Sequence, residues 1–398
     1  MAKFLTLDDI DPSGKTVLLR GDLNVPVKDG HITDATRIER LAPTILELLH
    51  KGARVVVMSH FGRPEGKEPS LSLAQVVPAL SQALGGRAIA FARDCVGPEA
   101  QETVKGLERG GVALLENLRF HPEEEKNDGE FARQLAALGD IYVNDAFSAS
   151  HRAHASIEAI AHLLPAVAGR LMQAELEALA AALETPEHPV MAIVGGAKVA
   201  TKLDLLSFIM PKVDVLAIGG AMANTLLFAK GLELGASLVE RDMKDTARQI
   251  LANAEACRVE LLLPVDAVAA DKIAAGAAHE VVPVESVPKD RMIVDLGPKS
   301  VLLLIAAMRR SRTLLWNGPV GAFETKPFDA VTMALAKIAA GLTRAGNLKS
   351  IAGGGDTVAA LAEAGVVDDF TYVSTAGGAF LEFLEGRELP GVAVLTKR

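Results

Sequence analysis

Four polar segments in the first half of the chain each follow a short apolar run, and each contains an arginine. They are RGDLN (20–24), SHFGRP (59–64), ENLRF (116–120) and NDAFSASHRAHAS (144–156). Guanidinium groups bind carboxylate and phosphate oxygens through two parallel hydrogen bonds. A single loop arginine more often makes an ordinary surface ion pair. Arginine in all four segments, with Arg37 shortly after the first, therefore predicts a site for a small, multiply charged anion. Its candidate residues are Asp22, Asn24, Arg37, His60, Arg63, Arg119 and Arg152.

Glycines take the corresponding positions in the second half. The segments are VGGAKVATK (194–202), IGGAMANT (218–225), WNGPVGAFE (316–324), AGGGDT (352–357) and STAGGAF (374–380). Glycine lets backbone N–H groups approach a phosphate closely, and a following helix N-terminus adds unpaired donors. Any one of these glycines could instead serve only a turn. Neither GxGxxG nor the P-loop GxxxxGK[ST] is present, so a phosphate site here belongs to a less common type.

Charged residues near the glycine segments indicate more closely which kind of ligand they would bind. Asp356 follows three glycines, and a carboxylate beside phosphates is repulsive unless Mg²⁺ bridges the two. Lys198 and Lys202 are four residues apart near a predicted helix start, so we expect them on one face, directed at phosphate or simply solvated. The acidic run 123–125 is expected to be a solvated surface.

Alternating apolar runs and helical stretches must position these segments. The runs begin at Thr16, Arg54, Val112, Ile141, Met191, Val215, Leu261, Met292, Thr313, Ser350 and Thr371. Helical spacing occupies 35–51, 131–138, 242–256 and 328–340. Strands that alternate with helices predict an α/β fold with mostly parallel sheets, in which ligands bind beyond the carboxyl ends of the strands. The stretch 170–184 has no strand of its own and predicts a helical connector between two lobes.

Composition limits the class of protein. The 398 residues favour two or three domains at roughly 150 residues each. A net charge of -9 argues against nucleic acid or an anionic membrane as a partner. Two cysteines fit a reducing compartment. With no signal pattern at the N-terminus and no apolar stretch long enough to span a bilayer, a soluble cytoplasmic protein is expected.

Taken in order, these segments resemble the phosphoglycerate kinase family. The resemblance covers nearly the whole chain and also includes ENLRFHPEEEKND, LPVDAVAA, DLGPKS and STAGGAFLEFLEG. It implies two Rossmann-like lobes joined by a helical hinge and a monomer. The implied parts are a substrate lobe at 1–169, a hinge at 170–185, a nucleotide lobe at 186–374 and a returning segment at 375–398. The implied reaction is the reversible, Mg²⁺-dependent transfer of the acyl phosphate of 1,3-bisphosphoglycerate to ADP, giving 3-phosphoglycerate and ATP.

The resemblance also assigns site residues. The 3-phosphoglycerate set is Asp22, Leu23, Asn24, Arg37, His60, Phe61, Gly62, Arg63, Arg119 and Arg152. The nucleotide set is Gly195, Lys202, Gly219, Gly220, Asn317, Pro319, Glu324, Gly353, Gly354, Gly355, Asp356 and Thr357, with Asp356 as the Mg²⁺ contact. The catalytic set is Arg37, Lys198, Lys202, Gly355, Gly377 and Gly378. Four positions depart from the family pattern, namely Gly21, Ala221, Asn224 and Ala376.

No base stands out in the glycine segments, and this reaction needs none. A carboxylate with a pKa near ~3.5 is already ionised at neutral pH and can attack phosphorus directly. Catalysis then consists of alignment and charge neutralisation, completed when the lobes close. Two other classes remain open at this point. A dinucleotide dehydrogenase would need the missing GxGxxG, whereas a non-catalytic nucleotide or phosphometabolite binder would have no need of Lys202 and Asp356 together.

Overall fold

A computed structural model describes residues 4–396, so residues 1–3 and 397–398 of the predicted first lobe and returning segment lie outside the described residues. The chain forms two compact units. The first comprises Met1–Leu176 and Glu388–Arg398, and the second is Glu177–Arg387. The division falls inside the helix Arg170–Leu183. The boundaries expected from the sequence at 169, 185 and 374 stay predictions.

The first unit is built on a six-stranded sheet in which all neighbours are parallel. Its strands are β1 (Thr16–Arg20), β4 (Arg54–Met58), β5 (Ile89–Ala92), β6 (Val112–Leu115), β7 (Ile141–Asn144) and β8 (Ala166–Ala168), in the order β5-β6-β4-β1-β7-β8; β2 (Val27–Lys28) and β3 (His31–Ile32) form a separate antiparallel pair. Its helices are α1 (Thr36–His50), α2 (Val77–Ala83), α3 (Gly97–Lys105), α4 (Gly129–Ala136), the start of α5 (Arg170–Leu183) and α13 (Pro390–Ala393).

Burial explains which strands could be predicted here. All five residues of β1 are buried, because helices cover both faces of a parallel sheet and continuous apolar runs result. The two edge strands had no such signal. β5 is mostly half-buried and β8 has three residues with a single β-branched side chain.

The second unit has its own six-stranded parallel sheet. Its strands are β9 (Val190–Val194), β10 (Val215–Ile218), β11 (Glu260–Leu262), β15 (Thr313–Asn317), β16 (Lys349–Gly353) and β17 (Tyr372–Ser374), in the order β11-β10-β9-β15-β16-β17. Its helices are α6 (Leu203–Ile209), α7 (Gly220–Ala229), α8 (Lys244–Ala256), α9 (Pro298–Arg310), α10 (Ala330–Arg344), α11 (Gly355–Glu363) and α12 (Gly378–Leu384).

A three-stranded antiparallel sheet accompanies it. β12 (Asp266–Ala270) lies between β13 (His279–Pro283) and β14 (Met292–Leu296) and pairs antiparallel with both. The run from Met292 is thus a strand, as predicted, but it lies outside the parallel sheet. β12 and β13 were not predicted, because β12 is alanine-rich and four of the five residues of β13 are exposed.

The C-terminal residues complete the first unit. The Asn144 side-chain amide donates to the Gly391 carbonyl oxygen at 3.1 Å. A Cβ at Gly391 would lie 2.6 Å from Ile157 Cγ2, so the close approach of this segment requires glycine. Within residues 4–396, no helix combines the length and apolar character needed to cross a membrane.

Candidate functional site

The sheet order of the first unit brings the four arginine segments together. They follow the carboxyl ends of β1, β4, β6 and β7, which are neighbours in the order β6-β4-β1-β7. Because all four strands are parallel, their carboxyl ends lie at the same edge of the sheet. The predicted convergence of these segments therefore follows from strand order.

Asp22, Asn24 and Arg37 form a connected group at this edge. Arg37 Nη1 lies 3.1 Å from Asp22 Oδ2 and donates to the Asn24 carbonyl oxygen at 2.7 Å. Asn24 Oδ1 accepts from the Gly62 N–H at 2.9 Å, and Asp22 Oδ2 accepts from Ser148 Oγ at 2.5 Å. Burial alone would raise the pKa of Asp22, but the Arg37 charge and the hydrogen bonds from Ser148 and Asn24 lower it. Asp22 is therefore a carboxylate that orients Arg37.

Leu23 and Phe61 belong to the core rather than to the polar surface. Leu23 is fully buried, and Phe61 is nearly so. Their backbone N–H groups are held by Ser59 Oγ at 2.9 Å and by Asn117 Oδ1 at 3.1 Å. These two predicted positions shape the loops, and their side chains are turned into the protein.

Three further arginines differ in exposure. Arg119 is largely buried, donates from Nη1 to the Gly62 carbonyl oxygen at 2.7 Å and pairs with Glu125 at 3.0 Å. Burial lowers the pKa of Arg119, and Glu125 opposes this effect. Arg63 and Arg152 are exposed. The Arg63 side chain has no hydrogen bond or ion pair within residues 4–396, and Arg152 Nε approaches His151 Nε2 at 3.2 Å.

Buried charges behind this surface were missed by sequence reasoning. Arg20 is 1% exposed, and its Nη2 donates to His60 Nδ1 at 3.1 Å. Burial, followed by the Arg20 charge, lowers the pKa of His60 to about 3, so this histidine is neutral at pH 7. The expected solvated face at 123–125 is wrong for Glu124, which is fully buried, and both its oxygens accept hydrogen bonds from Ser156 that compensate for lost water.

A cavity of about 450 Å³ opens in the second unit, within the size range of small-molecule sites. Ten of the twelve residues predicted to bind nucleotide line it: Gly195, Lys202, Gly220, Asn317, Pro319, Glu324, Gly354, Gly355, Asp356 and Thr357. Gly219 and Gly353 are not among the lining residues. A Cβ would lie 2.7 Å from the Val320 side chain at Gly219 and 2.6 Å from the Phe380 ring at Gly353, so both glycines serve packing behind the cavity.

Two lining glycines are required for different reasons. A Cβ at Gly195 would lie 1.8 Å from the Pro319 carbonyl oxygen, so this loop can approach its neighbour only without a side chain. Gly354 has φ +100°, in the left-handed region that favours glycine, and it caps the start of α11. α7 and α11 both begin at the cavity, with Gly220 and Gly355 as their first residues. Both N-termini carry a partial positive charge, and that of α11 also supplies backbone N–H donors. In α7 the N–H groups of Gly220 and Met222 already donate to the Val320 and Gly196 carbonyl oxygens.

Lys202 is the lysine that faces this cavity. It is half-buried, its Nζ donates to Asn317 Oδ1, and burial lowers its pKa against the opposing charges of Glu385 and Asp356. The expectation that Lys198 shares a helical face with it is wrong. Lys198 is exposed in a loop, and a 3₁₀ turn (Ala200–Lys202) intervenes before α6 begins at Leu203.

The remaining predicted catalytic glycines lie at the start of α12. Gly377 has φ +54° and precedes Gly378, the first residue of this helix. Neither is among the residues that line the cavity, although Leu381 of the same helix is. The positive φ of Gly377 sets the backbone conformation at the start of this helix. The predicted role of both glycines as backbone N–H donors stays a prediction.

Apolar residues without any recognisable motif form another part of the cavity wall. Leu238 and Ile273 line it and are 59% and 55% exposed. Large apolar side chains left open in a cavity suit a flat, uncharged ring.

Two positions that depart from the family pattern, Ala221 and Asn224, also line this cavity. At the third, Gly21, a Cβ would lie 2.3 Å from Leu41 Cδ2, because Leu41 fills the space of a side chain.

Asp295 is a buried carboxyl group in the cavity wall that was not predicted. Its oxygens accept from the N–H groups of Leu296 at 2.8 Å and Val331 at 3.2 Å. Burial raises its pKa to about 7 in spite of these two hydrogen bonds. The sequence predicted a strand just before DLGPKS, the motif that begins with this residue. No sequence pattern distinguished its carboxyl group from an exposed one.

Comparisons with known proteins give one consistent result. The sequence model of the family described as phosphoglycerate kinase matches residues 7–387. Curated relatives with that name from Rhodospirillum centenum and Rhizobium leguminosarum are 61% and 59% identical, over 98% and 99% of this chain and 99% of each relative. The solved phosphoglycerate kinase of Coxiella burnetii has a TM-score of 0.92 at 42% identity and covers 99% of both chains. That of Pyrococcus horikoshii has a TM-score of 0.79 at 31% identity over 98% of both.

The raised pKa of Asp295 predicts a pH-dependent stability of the second unit. The folded carboxyl titrates at about 7, whereas the unfolded one titrates near ~3.9. Between these values the folded state retains a proton that the unfolded state has lost, so this group lowers stability as the pH rises from about 4 to about 7. Relative to wild type, Asp295→Asn should therefore gain stability with rising pH, on the order of 1–4 kcal/mol in total.

Urea unfolding followed by Trp316 fluorescence measures this difference in the same unit. The control is Asp368→Asn, which changes an exposed residue. Its difference in stability from wild type should not change over that pH range. A difference between Asp295→Asn and wild type that stays constant from pH 4.5 to 8 would contradict the prediction.

Proposed function

Because this chain belongs to the phosphoglycerate kinase family, we propose that its first unit binds the phosphoglycerate substrate and its second unit the adenine nucleotide. The chain is a kinase that transfers phosphate to and from the carboxyl group of 3-phosphoglycerate. The observation that carries the assignment is the pair of strand-end surfaces, one of guanidinium groups and the other of helix N-termini with a lysine. Each fits one of the two anions.

The arginine surface suits 3-phosphoglycerate. Exposed Arg63 and Arg152 and partly buried Arg119 supply charge for the phosphate, since guanidinium forks match its oxygens. Arg37, held by Asp22, is assigned to the carboxylate. Asp22 and Asn24 lie beside Arg37 and suit the substrate hydroxyl. Neutral His60 adds a hydrogen-bond donor without a further charge.

The glycine cavity suits ADP and ATP. Leu238 and Ile273 are assigned to the adenine, and Glu324, which also lines the cavity, is assigned to the ribose. The N-termini of α7 and α11 face the cavity and suit the phosphates. Lys202 contributes the positive charge, and Thr357 holds the Gly318 N–H at 2.7 Å, which keeps the backbone of that wall in place.

The reaction needs alignment rather than proton transfer. The carboxylate of 3-phosphoglycerate is ionised at neutral pH and attacks the γ-phosphorus of ATP as the bond to the leaving ADP oxygen breaks. Arg37 orients the attacking carboxylate, and Lys202 neutralises charge on the transferring phosphoryl group. The lowered pKa of Lys202 reflects burial, and a desolvated ammonium interacts more strongly with phosphate than an exposed one.

The residues present fit a Mg²⁺ ion. Asp356 is exposed in the cavity wall at the second position of α11, close enough to Lys202 for their charges to interact. One carboxylate combined with nucleotide phosphates is a usual Mg²⁺ environment. Bound there, the ion would neutralise phosphate charge. Asp356 would hold it, and Lys202 would remain free for the transferred group.

The cellular setting is a further part of the proposal. We place the enzyme in the cytoplasm as a monomer, with no nucleic acid or membrane partner. The acidic net charge of -9 supports the exclusion of polyanions, and Cys95 and Cys257 are free thiols. A non-catalytic nucleotide binder is not favoured, because such a protein would gain nothing from Lys202 and Asp356 at one cavity.

A coupled assay that follows ATP consumption with 3-phosphoglycerate tests the function directly. Turnover should require both substrates and Mg²⁺, and removal of the metal with a chelator should abolish it. Asp356→Asn should raise the Mg²⁺ concentration needed for half-maximal rate by about tenfold or more, since a carboxylate ligand is lost. Binding of both ligands without turnover would instead support the non-catalytic alternative.

Substitution separates catalysis from anchoring. Arg37→Ala and Lys202→Ala should each lower kcat by roughly a hundredfold to a thousandfold, the scale of one lost charge-stabilising donor, with a smaller effect on substrate KM. Steady-state kinetics measure both constants. The exposed Arg87→Ala and Lys230→Ala are matched controls that should behave as wild type. A rise in KM alone would mean that Arg37 and Lys202 only anchor the substrates.

Transfer requires the donor and acceptor to meet, so we propose that the units close on each other when both substrates are bound. The segment 170–185, most of which is α5 (Arg170–Leu183), is the proposed hinge, together with the STAGG segment at 374–378. Closure would also exclude water, which hydrolyses acyl phosphates. Small-angle scattering should show a smaller radius of gyration with both substrates than with either alone. An unchanged radius would contradict the hinge.

A further inference from the structure

Four buried side chains form a continuous hydrogen-bonded chain in the first unit. It runs from Glu124 through Ser156 and Arg20 to His60. Glu124 and Ser156 are fully buried, Arg20 is 1% exposed and His60 is 9% exposed. A chain of this kind that includes two charged groups is costly to desolvate unless every member is paired.

The direction of every hydrogen bond is fixed by Arg20. A guanidinium group can only donate. Arg20 Nε donates to Ser156 Oγ at 2.9 Å, which leaves the hydroxyl proton for Glu124 Oε1 at 2.6 Å. The Ser156 N–H donates to Glu124 Oε2 at 2.9 Å, and Arg20 Nη1 donates to the Gly21 carbonyl oxygen. Glu124 thus compensates the buried positive charge of Arg20 through one serine.

The other end of the chain determines the state of His60. Arg20 Nη2 donates to His60 Nδ1 at 3.1 Å, so Nδ1 must accept and the ring proton must reside on Nε2. The charged and titratable groups that act on this ring are Arg20, Asp22, Arg119 and His154. The positively charged groups outnumber the one negative charge, that of Asp22, and this disfavours the charged imidazolium form of His60. A neutral ring with a single donor atom is the result.

We propose that Glu124 and Ser156 are positioning residues for substrate binding: through Arg20 they fix the His60 ring and hold its proton on Nε2. This inference rests on the proposed function, in which His60 contacts 3-phosphoglycerate. The Nε2–H then donates to an anionic oxygen or to the hydroxyl of that substrate. The wrong tautomer would present a lone pair to the anion and repel it. Neither Glu124 nor Ser156 needs to touch the substrate.

The tautomer of His60 gives a direct test without substrate. Nitrogen NMR of histidine-labelled protein, with His60 assigned by the loss of its signals in His60→Gln, distinguishes the two neutral forms. Wild type should show the Nε2–H form alone from pH 5 to 8. Ser156→Ala removes the hydroxyl that joins Arg20 to Glu124, and the Nδ1–H form should then become populated. Glu124→Gln keeps the size of the side chain but removes the compensating charge, and should shift the tautomer in the same direction.

Kinetics of the same variants separate positioning from stability. The KM for 3-phosphoglycerate should rise about tenfold to a hundredfold, the scale of one hydrogen bond to a charged group, and kcat should change less than about twofold. Tyr142→Phe is the matched control. Tyr142 is fully buried and its hydroxyl donates to the Ser156 carbonyl oxygen at 2.8 Å, outside the chain to His60. It should lose stability, with no change in tautomer or KM.

Two outcomes decide the proposal. If folded Ser156→Ala and Glu124→Gln both keep the Nε2–H tautomer and the wild-type KM, the chain only stabilises the fold and the proposal is wrong. Should Ser156→Ala fail to fold, Glu124→Gln alone decides in the same way. Failure of the proposed function gives a different result, because wild-type His60 signals would then not respond to added 3-phosphoglycerate, whatever the tautomer in the variants.

Discussion

Parallel pairing of neighbouring strands is the constraint on which both sites depend. A parallel sheet places every strand's carboxyl end at one edge, so any residue that follows a strand is delivered to the same surface as those that follow its neighbours. In the first unit β6-β4-β1-β7 deliver four arginine segments, and in the second β10-β9-β15-β16-β17 deliver five glycine segments. Residues more than 100 positions apart, such as Asp22 and Ser148, thereby come within 2.5 Å.

The two edges solve the problem of an anionic ligand in different ways. The first uses side-chain charge, which must itself be held in place and compensated. Asp22 orients Arg37, and Glu124 compensates Arg20 through Ser156. The second uses mostly backbone N–H groups at helix starts, which carry no net charge to compensate. It therefore needs small residues rather than counter-ions, and Lys202 is the positively charged residue among those that line the cavity.

Sequence reasoning recovered most of the fold and the position, at the carboxyl ends of strands, of most candidate site residues. All eleven runs form strands, and the central ones could be predicted because burial on both faces leaves an uninterrupted apolar pattern. Edge strands β5 and β8 lacked this pattern, and β12 and β13 lie outside the parallel sheet. Glu124 was mistaken for a solvated residue because an acidic run is usually exposed, and a run of three carboxylates does not reveal which one turns inward. Leu238 and Ile273 carry no motif, so only the folded chain shows that they border the cavity.

The glycines show why matching motif letters does not by itself identify ligand contacts. Gly195 is required by the carbonyl oxygen of Pro319, Gly354 by its left-handed backbone, and Gly353 by the ring of Phe380. Two of these three line the cavity, yet none of the three requirements involves a ligand. Each requirement comes from the structure of the protein itself. The glycines are thus required, in the first place, for these loops to pack so closely. The exposure of backbone N–H groups to a phosphate follows from that packing. Departures such as Ala221 are tolerated where this packing leaves room for a methyl group, whereas a side chain at Gly195 would have to displace backbone.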